Sequence, residues 1–98
     1  MSPELYPIAN AEQLVRHLLR HDCSADEIER RLEDNPLWRF ASIGDRSTCK
    51  RLLTYRRLYD NAAAAVLARG EYPSAEKIAA DVGKDERTVR RWQSGEGS

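Results

Sequence analysis

Apolar residues return every three or four positions along most of the chain, and no stretch shows the strict alternation of a half-buried strand. The pattern predicts helices throughout. Asn10 is a favoured cap, and after it Leu14, Val15, Leu18 and Leu19 share one face of a first helix over about 10–21. Ser24-Ala25-Asp26-Glu27 reads as a capping box, since a serine hydroxyl and a glutamate three residues on can each satisfy a free amide. It opens a second helix over about 25–34 with Ile28 and Leu32 inward, and Asn35-Pro36 ends it because the residue before proline avoids helical geometry. Leu37, Trp38, Phe40, Ala41 and Ile43 suggest a short apolar third helix ending at Gly44. Asp45 or Ser47 is the expected cap of the longest helix, which runs to about Arg69 and stops at Gly70. Leu52, Tyr55, Tyr59, Ala62 and Val66 form its inward stripe. The alanines 62–65 leave room for another helix to approach, from this chain or from a second copy.

The last quarter is the informative part. Ser74 is placed to cap a helix on which Ile78 and Val82 face inward and Ala79 is small. Gly83 suits the left-handed conformation of a sharp turn, and Asp85 can cap a following helix with Val89 and Trp92 inward. Arg87, Arg90 and Arg91 are related by three and four, so they share the outer face, where guanidinium groups suit guanine edges and phosphates. Acids at 85 and 86 favour the helix dipole and repel a nearby phosphate. Ser24-Ala25, Ile28 and Leu32 return fifty residues later as Ser74-Ala75, Ile78 and Val82, which reads as two capped amphipathic helices.

The spacing from Ala79 to Gly83 to Val89, with the Pro73-Ser74 entry, Ile78, Val82, the Arg87-Thr88-Val89 run and Trp92, resembles the helix-turn-helix DNA-binding proteins. Over about residues 70–95 it is similar to GntR-type regulators, to winged-helix domains of phage and plasmid replication proteins, and to Cro-like regulators. The sequence ends six residues after Trp92, short of a β-wing, so a three-helix unit whose first member is the long helix fits best. The resemblance implies an all-α fold: a small helical bundle ending in a trihelical helix-turn-helix unit. The charge balance and the helix pattern divide the chain into an acidic helical segment, 1–44, and a long helix plus DNA-binding unit, 45–98.

Composition narrows the function further. The 98 residues carry 16 Lys+Arg and 16 Asp+Glu, for zero net charge, which argues against a general polyanion binder. Residues 1–44 hold five arginines against eight acids, so the remainder carries the compensating positive excess. Arg46, Lys50, Arg51, Arg56 and Arg57 follow one another with no acid between them, and Lys50 and Arg57 suggest a phosphate track on the long helix. The expected DNA-binding set is Ser74, Lys84, Arg87, Thr88, Arg90, Arg91, Lys50 and Arg57. His17 and His21 have metal-ligand spacing with Cys23 nearby, yet paired Cys-x-x-Cys motifs are absent, and solvated histidines are the expectation. No glycine-rich phosphate loop, nucleophile elbow or triad stands out, so neither an enzyme nor a cofactor or small-molecule ligand is expected. No apolar run approaches a membrane span and the start lacks a signal-peptide pattern, which makes a cytoplasmic location the expectation. The reading is a sequence-specific binder of double-stranded DNA, a transcriptional regulator or repressor of bacterial, phage or plasmid type, acting as a homodimer. The alternatives are a DNA-binding subunit in replication, recombination or packaging, and a protein-interaction module such as an antitoxin or adaptor.

Overall fold

The computed structural model describes residues 8–97, so the irregular arm expected at residues 1–8 lies almost wholly outside the described residues. Those residues form six helices and no strand: α1 (Ala11–Arg20), α2 (Ala25–Glu33), α3 (Pro36–Arg39), α4 (Ile43–Ala68), α5 (Ala75–Val82) and α6 (Glu86–Gln93). None is long and apolar enough to cross a membrane.

Most helix starts are fixed by side chains of the predicted type. Asn10 accepts from the Gln13 amide at 2.9 Å, Ser24 from Glu27 at 3.2 Å and Ser74 from Lys77 at 3.1 Å. Each such cap is worth about 1 kcal/mol. The second half of the expected capping box does not form. The Glu27 carboxylate turns instead to Arg31, one helical turn on, at 3.2 Å.

The long helix starts earlier than its sequence suggests. Ser42 is its cap, accepting from the Asp45 amide at 3.0 Å, and Gly44 lies inside the helix instead of ending α3. Asp45 is drawn away by a tertiary contact. Its two carboxylate oxygens accept from the backbone amides of Ala11 and Glu12, at 3.0 and 2.9 Å. It thereby closes the N-terminus of α1 from another helix. The apolar segment before it is also shorter than expected. α3 stops at Arg39, while Phe40 and Ile43 stand 86% and 89% exposed.

Two apolar clusters sit at successive levels of α4. The first joins Val15, Leu18 and Leu19 of α1, Ile28 and Leu32 of α2, and Cys49, Leu52 and Leu53 of α4. The second joins Val66 of α4 with Ile78 and Ala79 of α5 and Val89 of α6, flanked by Tyr59 and Ala62. A division at residue 44 therefore falls inside the first cluster, which needs Cys49, Leu52 and Leu53 from beyond it.

An arginine bridges the two levels. Arg56 is 4% exposed. Its guanidinium donates to Asp60 at 2.8 Å, to Asp22 at 3.1 Å and to the Gln93 carbonyl at 2.9 Å, and it lies over the Tyr59 ring. Asp60 also accepts from the Ala25 amide at 2.8 Å, closing α2 as Asp45 closes α1. Asp22 adopts the left-handed conformation, φ +60°, at the end of α1, a position glycine usually takes.

Candidate nucleic-acid interface

The connection between α5 and α6 is a three-residue turn, 83–85. Gly83 takes φ +69° and ψ +36°, and the Lys84 amide then returns to the Ala79 carbonyl at 3.0 Å. A side chain at 83 would lie in a conformation that L-residues avoid. Ile78 and Val89 are fully buried, so the turn sets the two helices face to face over Val66. Val82 departs from its expected inward place and is 37% exposed, because it occupies the last turn of α5, where packing partners run out.

The charges around the turn are sorted by pairing. Arg69, just after α4, holds Asp81 of α5 through two hydrogen bonds, at 2.8 and 3.0 Å, and Glu71 through a third at 2.9 Å. Lys77 reaches Glu71 as well, and the two cations, Lys77 foremost, hold the Glu71 carboxyl below its ordinary range. On α6 the Arg90 guanidinium is braced by Glu86 one turn earlier. Asp85 occupies the cap position of α6, yet its side chain accepts no capping hydrogen bond.

On a helix turning about 100° per residue, Arg87 and Arg91 project roughly opposite the buried Val89, and Arg90 lies to their side. All three are exposed, as is Lys84 in the turn. Arg87 and Arg91 have no ion pair among the described residues. Thr88 and Trp92 are half-buried on the flank of the helix, and the Ser74 hydroxyl is engaged as the α5 cap. Five of the expected residues, Lys84, Arg87, Thr88, Arg90 and Arg91, therefore lie along one turn and one short helix, with Ser74 at the start of the preceding one.

Lys50 and Arg57 are placed elsewhere. They project about 160° and about 140° around α4 from Leu52, whereas Tyr55 and Tyr59 lie to its other side at about 60° and about 20°. Tyr55 meets the tail after α6 and Tyr59 borders the second core, so Lys50 and Arg57 face away from α6. Arg57 is also committed to Asp26 and Glu29 of α2, and these hydrogen bonds, Asp26 foremost, raise its pKa. The basic run is broken further by Arg46, which donates to the Trp38 and Arg39 carbonyls at 3.0 and 2.9 Å and packs on the Trp38 ring. Arg56 is buried. Lys50 and Arg51 remain the exposed members of that run without an ion pair among the described residues. Nothing in the order of charges distinguishes these fates: a row of arginines reads as a solvated face until the partners arrive from α2, α3 and the end of α1.

His17 and His21 stack edge to face, ring centroids 4.5 Å apart, and no group of three or more potential metal-ligating side chains comes together among the described residues. The segment after α6 folds back onto the bundle. Gly95 ends α6 at φ +83°, and the Glu96 amide returns to the Arg91 carbonyl at 2.7 Å. A Cβ at Gly95 would stand 2.8 Å from Leu19 Cδ1 and 3.0 Å from the Leu52 carbonyl oxygen, so the tail lies against α1 and α4.

Comparison with family models, with curated proteins and with solved structures gives no match.

Proposed function

We propose that α4, α5 and α6 form a trihelical helix-turn-helix unit and that the protein binds double-stranded DNA sequence-specifically, with α6 as the reading helix. The observation that carries this is the outward face of α6, where Arg87 and Arg91, with no ion pair among the described residues, stand opposite the buried Val89 and Arg90 is braced beside them. The arrangement suits the major groove, which admits one helix and presents guanine N7 and O6 to guanidinium groups. Lys84, at the turn, is positioned for phosphate. A neutral protein bearing such a face is better suited to one site than to nucleic acid in general. The role that fits best is transcriptional regulation of the bacterial, phage or plasmid kind. One eight-residue helix reads few base pairs, which favours two copies on a two-fold symmetric site.

The test is binding of the Arg87→Ala, Arg90→Ala, Arg91→Ala triple variant to duplexes selected from a random pool with the parent protein. At about 1–3 kcal/mol for each good base contact, affinity for the selected site should fall by more than about 100-fold. Unchanged affinity for selected and scrambled duplexes would overturn the reading and leave a protein-interaction module in its place.

A further inference from the structure

We infer that Asp85 is a specificity-determining residue that selects cytosine at one position of the DNA site, an inference that rests on the reading helix proposed above. Asp85 sits where the turn enters α6, two residues before Arg87, and it is exposed. An aspartate at a helix cap ordinarily accepts from an amide of the first turn. Here it does not, and no ion pair engages it among the described residues. The neighbouring acid differs: Glu86 is half-buried and held by Arg90. The entry to the reading helix thus presents one uncommitted carboxylate beside an uncommitted guanidinium.

In DNA a carboxylate is repelled by phosphate and rewarded only by a donor on a base edge. The major groove offers two such donors, the cytosine N4 and adenine N6 amino groups. Adenine sets its N7 acceptor beside the amino group, and a carboxylate has no hydrogen to give it. Guanine presents two acceptors, and thymine an acceptor and a methyl group. Cytosine is the one base whose major-groove edge offers a donor without an adjacent acceptor of its own. The N-terminal residues of a reading helix are those that approach base edges. Asp85 and Arg87 together then specify a cytosine close to a guanine.

The experiment is selection of bound duplexes from a random pool with the full chain and with its Asp85→Ala, Asp85→Asn and Arg87→Ala variants, after circular dichroism has shown unchanged helix content. The parent should enrich a motif with an invariant cytosine, favoured over other bases there by roughly tenfold or more. Asp85→Ala should make that position degenerate and leave the rest of the motif intact. Asp85→Asn should move the preference toward adenine, since an amide both donates and accepts and matches N6 with N7. Arg87→Ala should relax a different position and keep the cytosine. A motif identical in the parent and both Asp85 variants would overturn the assignment to Asp85 and leave the DNA-reading helix standing. No enriched motif with the parent protein would overturn both.

Discussion

Arg56 and Arg57 are adjacent, identical in type and opposite in circumstance, which makes them a controlled pair for stability. Replacing Arg56 with alanine removes a side chain, 5% exposed, whose guanidinium donates to Asp60, Asp22 and the Gln93 carbonyl. Hydrogen bonds to charged groups contribute about 1.5–3 kcal/mol each. Breaking a buried pair from one side costs about 3–5 kcal/mol, because the remaining charge is stranded. The stranding here is incomplete. Asp22 is largely exposed and returns to water, and Asp60 keeps its hydrogen bond from Ala25. The lower end of the range applies, so Arg56→Ala should cost about 3 kcal/mol. Arg57 bonds Asp26 and Glu29, but all three side chains are well exposed, and surface pairs contribute about 0–1 kcal/mol. Arg57→Ala should therefore stay within about 1 kcal/mol. Urea unfolding followed by circular dichroism measures both, with the midpoint read at constant m-value. Equal effects for the two variants would refute the reasoning, for they would show that Arg56 is not desolvated in solution. A loss of about 3 kcal/mol with Arg56→Met equal to the parent would refute it as well, because the charge would then contribute nothing beyond its packed stem.

Two glycines with similar positive φ should respond differently. Gly83→Ala meets no atom within 4 Å and should cost about 1–2 kcal/mol of conformational strain alone, whereas Gly95→Ala adds collisions with Leu19 and the Leu52 carbonyl and should cost more by calorimetry. Lys50→Ala should leave the salt dependence of DNA binding unchanged, and Lys84→Ala should make its slope shallower by about one unit if Lys84 holds a phosphate. The Cys49 thiol is pushed up by burial to about 11, so its folded pKa exceeds its unfolded one. The preference for the neutral thiol is complete below the ordinary value and is lost as pH rises toward about 11, so stability should decline with alkaline pH less steeply in Cys49→Ala than in the parent, the rest of the decline coming from Cys23 and Tyr59, which burial also raises.

Local chemistry made the helix order legible. Asn10, Ser24 and Ser74 cap as their types require, Gly83 turns as only glycine does without strain, and the serine–alanine–isoleucine pattern repeated at fifty residues marks two helices that bury Ile28 and Ile78 alike. The repeat fails at its last position, where Leu32 is buried and Val82 is not. Other departures come from side chains recruited over distance. Asp45 looked like the cap of its own helix and serves α1. Arg57 reads as one member of a phosphate track and is paired with Asp26 and Glu29 of α2. Arg56 looked like one cation in a run and is a buried bridge whose partner Asp22 lies 34 positions away. Of the expected site, the outer face of α6 followed from the helical period; the separation of Lys50 and Arg57 from it required knowing which side of α4 the last helix packs on.

The carboxylates of Asp45 and Asp60, both on α4, accept hydrogen bonds from amides in the first turns of α1 and α2. Those amides have no partner in an isolated helix, so their isotope exchange with solvent records whether α4 is docked, not whether α1 or α2 is helical. Ala11, Glu12 and Ala25 thereby become three natural reporters along one rod. If the rod detaches as a whole, the three exchange with a common opening free energy. If it peels from one end, Ala11 and Glu12 part from Ala25 in rate, and the order of their release gives the direction in which this protein comes apart.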